Sequence, residues 1–154
     1  DSEQAQEALG ARLAAALGGG CVVVYLYGEL GAGKTTLVRG LLRGLGHLGT
    51  VKSPTYTLLE PYQVGDREVL HLDLYRLSDP EELEYLGLGD LTGPDAVWLV
   101  EWPEQGGDGL PAADLRVAIA YHGPARQLTF TAQSAVGNAI LGALSESDSD
   151  TSAA

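Results

Sequence analysis

A chain of 154 residues, 45% hydrophobic and 19% charged, is long enough for one folded domain and is neither disordered nor fibrous in composition. Its single cysteine excludes an internal disulfide framework and a multi-cysteine metal site, and no stretch reaches the roughly 18 apolar residues of a membrane span. Nine Lys and Arg against 21 Asp and Glu leave a net charge of −12, a surface that repels phosphate backbones and is not expected to supply the main grip on a nucleic acid.

Residues 2–17 read as a helix, with Ser2 as N-cap, Glu3 in the first turn, and Leu9, Leu13, Ala16 and Leu17 on one apolar stripe. Gly18, Gly19 and Gly20 end it. The run Cys21 to Tyr27 is short, β-branched and continuously apolar, the profile of a central strand, and Cys21 reads as a small core residue. It has no basic flank and no cleavage pattern after it, so secretion and membrane insertion are not expected and the chain is read as cytoplasmic. After a glycine-rich turn, a helix is predicted over 34–45, with Leu37, Val38, Leu41, Leu42 and Leu45 inward. Residues 55–64 and 67–74 are strand-like, joined by Gly65-Asp66, and Pro61 places the first at an edge or a break. Asp79, Pro80, Glu81 and Glu82 start a short acidic helix with Leu83 and Leu86 inward. Residues 96–101 form a second buried strand ending in a carboxylate, and 103–111 a glycine-rich loop. Residues 114–121 and 126–132 read as another hairpin, and 133–143 as a small-residue helix. The polar, acidic stretch 145–154 is expected to be disordered, which leaves 1–144 as one domain.

Residues 28–35, Gly-Glu-Leu-Gly-Ala-Gly-Lys-Thr, fit the phosphate-binding loop G-x-x-x-x-G-K-[ST] at every fixed position. Gly28, Gly31 and Gly33 let backbone N–H groups turn inward around phosphate oxygens, while Glu29, Leu30 and Ala32 complete the loop. The helix N-terminus that follows adds partial positive charge. Lys34 suits the β- and γ-phosphates of ATP, and the Thr35 hydroxyl suits Mg²⁺. The loop lies between a strand and a helix, the context this motif requires. The fold class expected is therefore α/β: a P-loop NTPase-like three-layer sandwich on a mixed sheet, with a parallel core plus antiparallel hairpins.

Such a site also needs an acid at the end of a neighbouring strand. Glu101, closing Ala-Val-Trp-Leu-Val-Glu, and Asp73, within His-Leu-Asp-Leu-Tyr-Arg, both qualify, and the residues alone leave open which holds metal and which orients water. Ser53-Pro54-Thr55 occupies a position suited to sensing a γ-phosphate, although a plain surface turn is an equal reading. His71 alternates with apolar residues and reads as structural; Trp102 reads as core or interface before it reads as a base-stacking platform. A guanine-reading Asn-Lys-x-Asp and an LSGGQ-like run are absent, which removes GTPases and transporter ATPases. A small-molecule kinase and a nucleotide-dependent interaction module without turnover remain as alternatives.

Four ordered segments, Gly-Glu-Leu-Gly-Ala-Gly-Lys-Thr-Thr (28–36), Val-Lys-Ser-Pro-Thr-Tyr-Thr (51–57), His-Leu-Asp-Leu-Tyr-Arg-Leu (71–77) and Val-Glu-Trp-Pro (100–103), together resemble the TsaE family, also called YjeE. The resemblance covers about residues 5–132. It implies an ATPase of the bacterial machinery that makes N6-threonylcarbamoyladenosine at position 37 of tRNA, with ATP and Mg²⁺ as cofactors. Its implied partners are the TsaB and TsaD proteins, with tRNA reached only through the complex. It further implies that Lys34 and Thr35 bind phosphates and Mg²⁺, Thr36 lines the nucleotide site, Glu101 is the metal carboxylate and Asp73 is a second essential acid. In the same reading Ser53 and Thr55 belong to a switch-like loop, and Trp102 flanks the site.

Overall fold

The computed structural model describes residues 3–29, 32–51, 54, 58–65, 67–79, 81–83, 95–123 and 125–153, with backbone alone at 108, 122 and 146–153. Among the described residues, three α-helices, α1 (Glu3–Ala16), α2 (Lys34–Leu45) and α3 (Ala135–Ala153), accompany six strands. These are β1 (Val22–Tyr27), β2 (Leu59–Val64), β3 (Arg67–Asp73), β4 (Val97–Glu101), β5 (Leu115–His122) and β6 (Ala125–Ala132). They form one sheet in the order β2-β3-β4-β1-β5-β6. The inner strands β3, β4, β1 and β5 run parallel, while β2 and β6 pair antiparallel at the edges. This is the mixed α/β sheet expected from the sequence. Pro61 lies on edge strand β2, where a missing N–H costs least.

The β1 side chains alternate between two apolar layers. Val22, Val24 and Leu26 face a core built with Leu13, Leu17, Leu37, Val38, Leu41 and Leu42 of the first two helical segments and with Ile140 and Leu144 of α3. Val23 faces the opposite layer, where Leu70, Leu72, Trp98 and Val100 meet Leu74, Leu77, Leu83 and Leu110. Among the described residues this second layer is covered by connecting segments and 3₁₀ turns, including 81–83 and Pro103–Gln105. Leu86, assigned inward from sequence, lies outside the described residues, as do Ser2 and Asp66.

Two sequence expectations change. Cys21 is exposed, because β1 begins one residue later at Val22 and Cys21 belongs to the turn after α1. The last helix does not stop at 143: its backbone continues to Ala153, through the segment expected to be disordered. No glycine or proline interrupts 143–153, and a helix already formed adds residues at little cost.

Candidate phosphate-binding site

The parallel strands β1, β3 and β4 end at the same edge of the sheet. In register, Asp73 stands beside Glu101, and Glu101 beside Leu26 two residues before Gly28. The loop from Gly28 therefore leaves β1 directly next to two carboxylates contributed by adjacent strands. Gly33 sits at φ 105° as the N-cap of α2, a left-handed conformation that glycine adopts without strain. A Cβ there would also lie 2.4 Å from the Gln6 amide, and one on Gly28 would lie 2.9 Å from the Ile119 carbonyl oxygen. Gly28 is thus constrained by a neighbouring backbone, whereas at Gly33 the positive φ is the constraint and a side chain would have to displace the end of Gln6.

Lys34 is buried, and its Nζ donates to the Gly28 carbonyl at 2.5 Å while lying 3.9 Å from the centre of the Trp102 ring. Burial lowers the Lys34 pKa, and the charges of Glu101, Asp73 and Glu104 oppose that shift. Thr35 Oγ1 approaches Glu101 Oε2 to 3.5 Å. Thr36 is buried in the first turn of α2. Asp73 is buried as well; its Oδ1 accepts the Tyr75 N–H at 3.1 Å. Burial and then the neighbouring Glu101 charge raise the Asp73 pKa, against the Tyr75 N–H, His71 and Lys34.

Trp102 adopts φ 56° and ψ 50°, a left-handed conformation that costs a bulky residue about 1–3 kcal/mol. That turn swings the ring off the end of β4 onto Lys34 and within 4.9 Å of the Tyr75 ring. Trp102 packs against the second apolar layer, as its core reading expected, and also lies over Lys34 beside the loop. The carbonyl of Leu58, also at positive φ, accepts the Asp73 N–H, so Leu58 abuts the site. Ser53 and Thr55 themselves, like Leu30 and Gly31 of the loop, lie outside the described residues. Glu29 and Ala32 are described: the Ala32 N–H donates to the Glu29 carbonyl at 3.0 Å, closing the loop on itself.

His71, read from strand alternation as structural, is buried beside the site carboxylate. Its fully buried ring places Nε2 2.5 Å from Glu101 Oε2, so a protonated Nε2 donates to that carboxylate. The only available sequence signal is its spacing: positions 71 and 73 share one face of β3, and 73 was already a candidate acid.

Residues 1–128 match the family described as threonylcarbamoyl adenosine biosynthesis protein TsaE. The chain belongs to the TsaE family. A tRNA threonylcarbamoyladenosine biosynthesis protein TsaE from Haemophilus influenzae is 52% identical over 124 residues, which span 80% of this chain and 78% of that protein. The protein of the same description from Bacillus subtilis is 41% identical over 129 residues, covering 83% and 78%. The crystal structure of Bacillus subtilis YdiB aligns with a TM-score of 0.76 at 32% identity, over 96% of this chain and 92% of that one. The TsaE family takes part in tRNA threonylcarbamoyladenosine biosynthesis. Lys34, Thr35, His71, Asp73, Glu101 and Trp102 all lie within the span matched to TsaE, whereas α3 lies beyond it.

Proposed function

We propose that this TsaE-family chain binds ATP with Mg²⁺ at residues 28–36 and hydrolyses it. Hydrolysis then drives turnover of a TsaB–TsaD transferase that modifies position 37 of tRNA in the cytoplasm. The observation that carries this reading is the convergence of Lys34, Thr35, Asp73 and Glu101 at one edge of the sheet, directly beside the loop.

The donor set fits Mg²⁺. Among the described residues no cluster of three metal-ligating side chains exists, yet Mg²⁺ typically keeps several waters and takes one or two protein oxygens plus phosphate oxygens. The Thr35 hydroxyl and the Glu101 carboxylate, 3.5 Å apart, supply that minimum. When bound, the ion neutralises charge on the phosphates. In this reading Lys34 leaves the Gly28 carbonyl for the β- and γ-phosphates, and Asp73 orients the attacking water. His71 holds one Glu101 oxygen so that the carboxylate keeps a single orientation, and Trp102 shields the lysine from solvent. Ser53 and Thr55 join the site on the strength of their sequence position.

The test is ATP turnover by the purified chain, alone and with TsaB and TsaD from the same source. Little activity alone and strong stimulation by the pair is the expected result. Glu101→Ala should retain nucleotide binding while turnover falls by about 10²-fold or more. Phosphate transfer to a small-molecule acceptor without stimulation by the pair would overturn the reading in favour of a kinase. Unimpaired tRNA modification by Glu101→Ala would show that hydrolysis at Glu101 is not the purpose of the site.

A further inference from the structure

We infer that Gln6 and Arg126, from opposite ends of the chain, are positioning residues that hold the Ala32–Gly33 peptide of the phosphate-binding loop in its binding orientation. This rests on the nucleotide-binding reading above for its functional consequence but not for its structural one. Gln6 Nε2 donates to the Ala32 carbonyl at 3.3 Å, and Arg126 Nε donates to the same oxygen at 3.2 Å. A carbonyl oxygen has two lone pairs, so these two donors satisfy it fully. Every peptide bond described is trans, and in a trans planar peptide the carbonyl and the next N–H point in opposite directions. Fixing the Ala32 oxygen against Gln6 and Arg126 therefore directs the Gly33 N–H away from them. That N–H precedes Lys34 and belongs to the set this motif uses to cradle phosphate.

Several features argue that the arrangement is more than incidental packing. Gln6 is 7% exposed on the face of α1 that also buries Gly10 and Leu13, a place where an apolar side chain would cost less unless the amide had a specific partner. Its amide lies in the space that a side chain on Gly33 would occupy, so the Gln6 side chain packs directly on this peptide. Arg126 is steadied by the Tyr121 ring, 4.1 Å from its guanidinium carbon, which leaves Nε aimed at the loop. Both side chains also line a cleft of about 340 Å³ walled by Leu9, Leu128 and Phe130, so they can be replaced without opening a sealed core. The loop is thus clamped by α1, ahead of it in sequence, and by β6, more than ninety residues behind.

Because both donors share one acceptor, either alone retains part of the effect, and the pair is non-additive. Gln6→Leu and Arg126→Met each remove a donor while keeping bulk. Each single variant should weaken binding of Mg·ADP, measured by calorimetry, by about threefold to tenfold. The double variant should lose more than the product of the two. A second readout needs no nucleotide: the ¹⁵N order parameter of the Gly33 amide should fall in the double variant, with the melting temperature recording any general loss of stability. An unchanged Gly33 order parameter in the folded double variant would overturn the inference, and so would unchanged nucleotide affinity where the parent binds. A parent that binds no Mg·ADP, while Gly33 still loosens in the double variant, would remove the nucleotide reading and leave the clamp standing.

Discussion

Asp73 and Glu101 stand beside each other on β3 and β4, both buried, and the fold carries a cost for having both acids there. The Asp73 pKa is raised in the folded chain, so between its ordinary value and its folded value the native state binds more protons than the unfolded state. Stability contributed through this group therefore falls as pH rises through that window. Asp73→Asn keeps an oxygen for the Tyr75 N–H and removes the charge. The variant is expected to be more stable than the parent at pH 7 by about 0.5–2 kcal/mol, the usual scale for relieving a functional site. The difference should shrink as pH falls through the ordinary carboxylate range, where the parent acid becomes protonated in both states. Paired denaturant titrations at pH 7 and pH 3.5 check this, and a gain that persists at low pH would assign it to something other than charge. At this scale the sequence is most readable where chemistry demands a fixed residue at a fixed spacing. Lys34, Thr35 and the strand-end Glu101 could be placed on those grounds. His71 could not, because alternation says that a strand residue faces inward without saying whose side chain it meets.

The helices show where patterning misleads. The apolar stripe Leu9, Leu13, Ala16 and Leu17 locates α1, yet the residues it buries within its own span are Gln6, Gly10, Leu13 and Ala14. The buried face includes a glycine and an amide because α1 lies against α2 almost backbone to backbone. A Cβ on Gly40 would come within 2.1 Å of the Glu7 carbonyl oxygen, one on Gly10 within 2.4 Å of the Leu37 oxygen, and one on Gly44 within 2.7 Å of the Ala11 Cα. Hydrophobic periodicity cannot register a contact made by absent side chains. Gly40→Ala brings two effects into opposition. Helix propensity favours alanine by about 1 kcal/mol, while overpacking against a backbone atom that cannot swing aside costs about 1–3 kcal/mol. The clash is expected to win, giving a net destabilisation of up to about 2 kcal/mol. Gly142→Ala in α3, where nothing lies within 4 Å, should instead be neutral or stabilising by up to about 1 kcal/mol. Opposite signs in thermal melts of the two variants would establish the close helix contact, and equal signs would refute it. Since α2 begins at Lys34 and α1 carries Gln6, this contact also sets the distance between the loop and its support.

On the scale of the whole molecule, the strands were readable one by one, but their order was not. β4 lies between β3 and β1, and β5 on the far side of β1, an arrangement decided by crossovers that leave no local mark on strand composition. Charge, by contrast, is legible from composition alone, and the structure sharpens its meaning. Against a net charge of −12, Lys34, Arg43, Arg67 and Arg126 donate to backbone carbonyls, those of Gly28, of His47 and Gly49, of Asp95 and Gly20, and of Ala32, while Arg39 donates to the Glu7 carboxylate. These contacts leave the cations charged, but Asp and Glu outnumber Lys and Arg 21 to nine, and binding to a phosphodiester backbone depends on its neutralisation by positive charge. The isolated chain should therefore bind tRNA more weakly than about 10⁻⁴ M at 0.15 M salt, below ordinary non-specific affinity. Filter retention or fluorescence anisotropy with labelled tRNA measures this directly. Retention that appears only when TsaB and TsaD are added would assign the nucleic acid to the partners and the nucleotide cycle to this chain. Micromolar binding by the chain alone would mean that a local basic surface outweighs the overall repulsion. Its salt dependence would then count the phosphates involved, with log K falling by about 0.9 per contact for each decade of salt on a duplex stem.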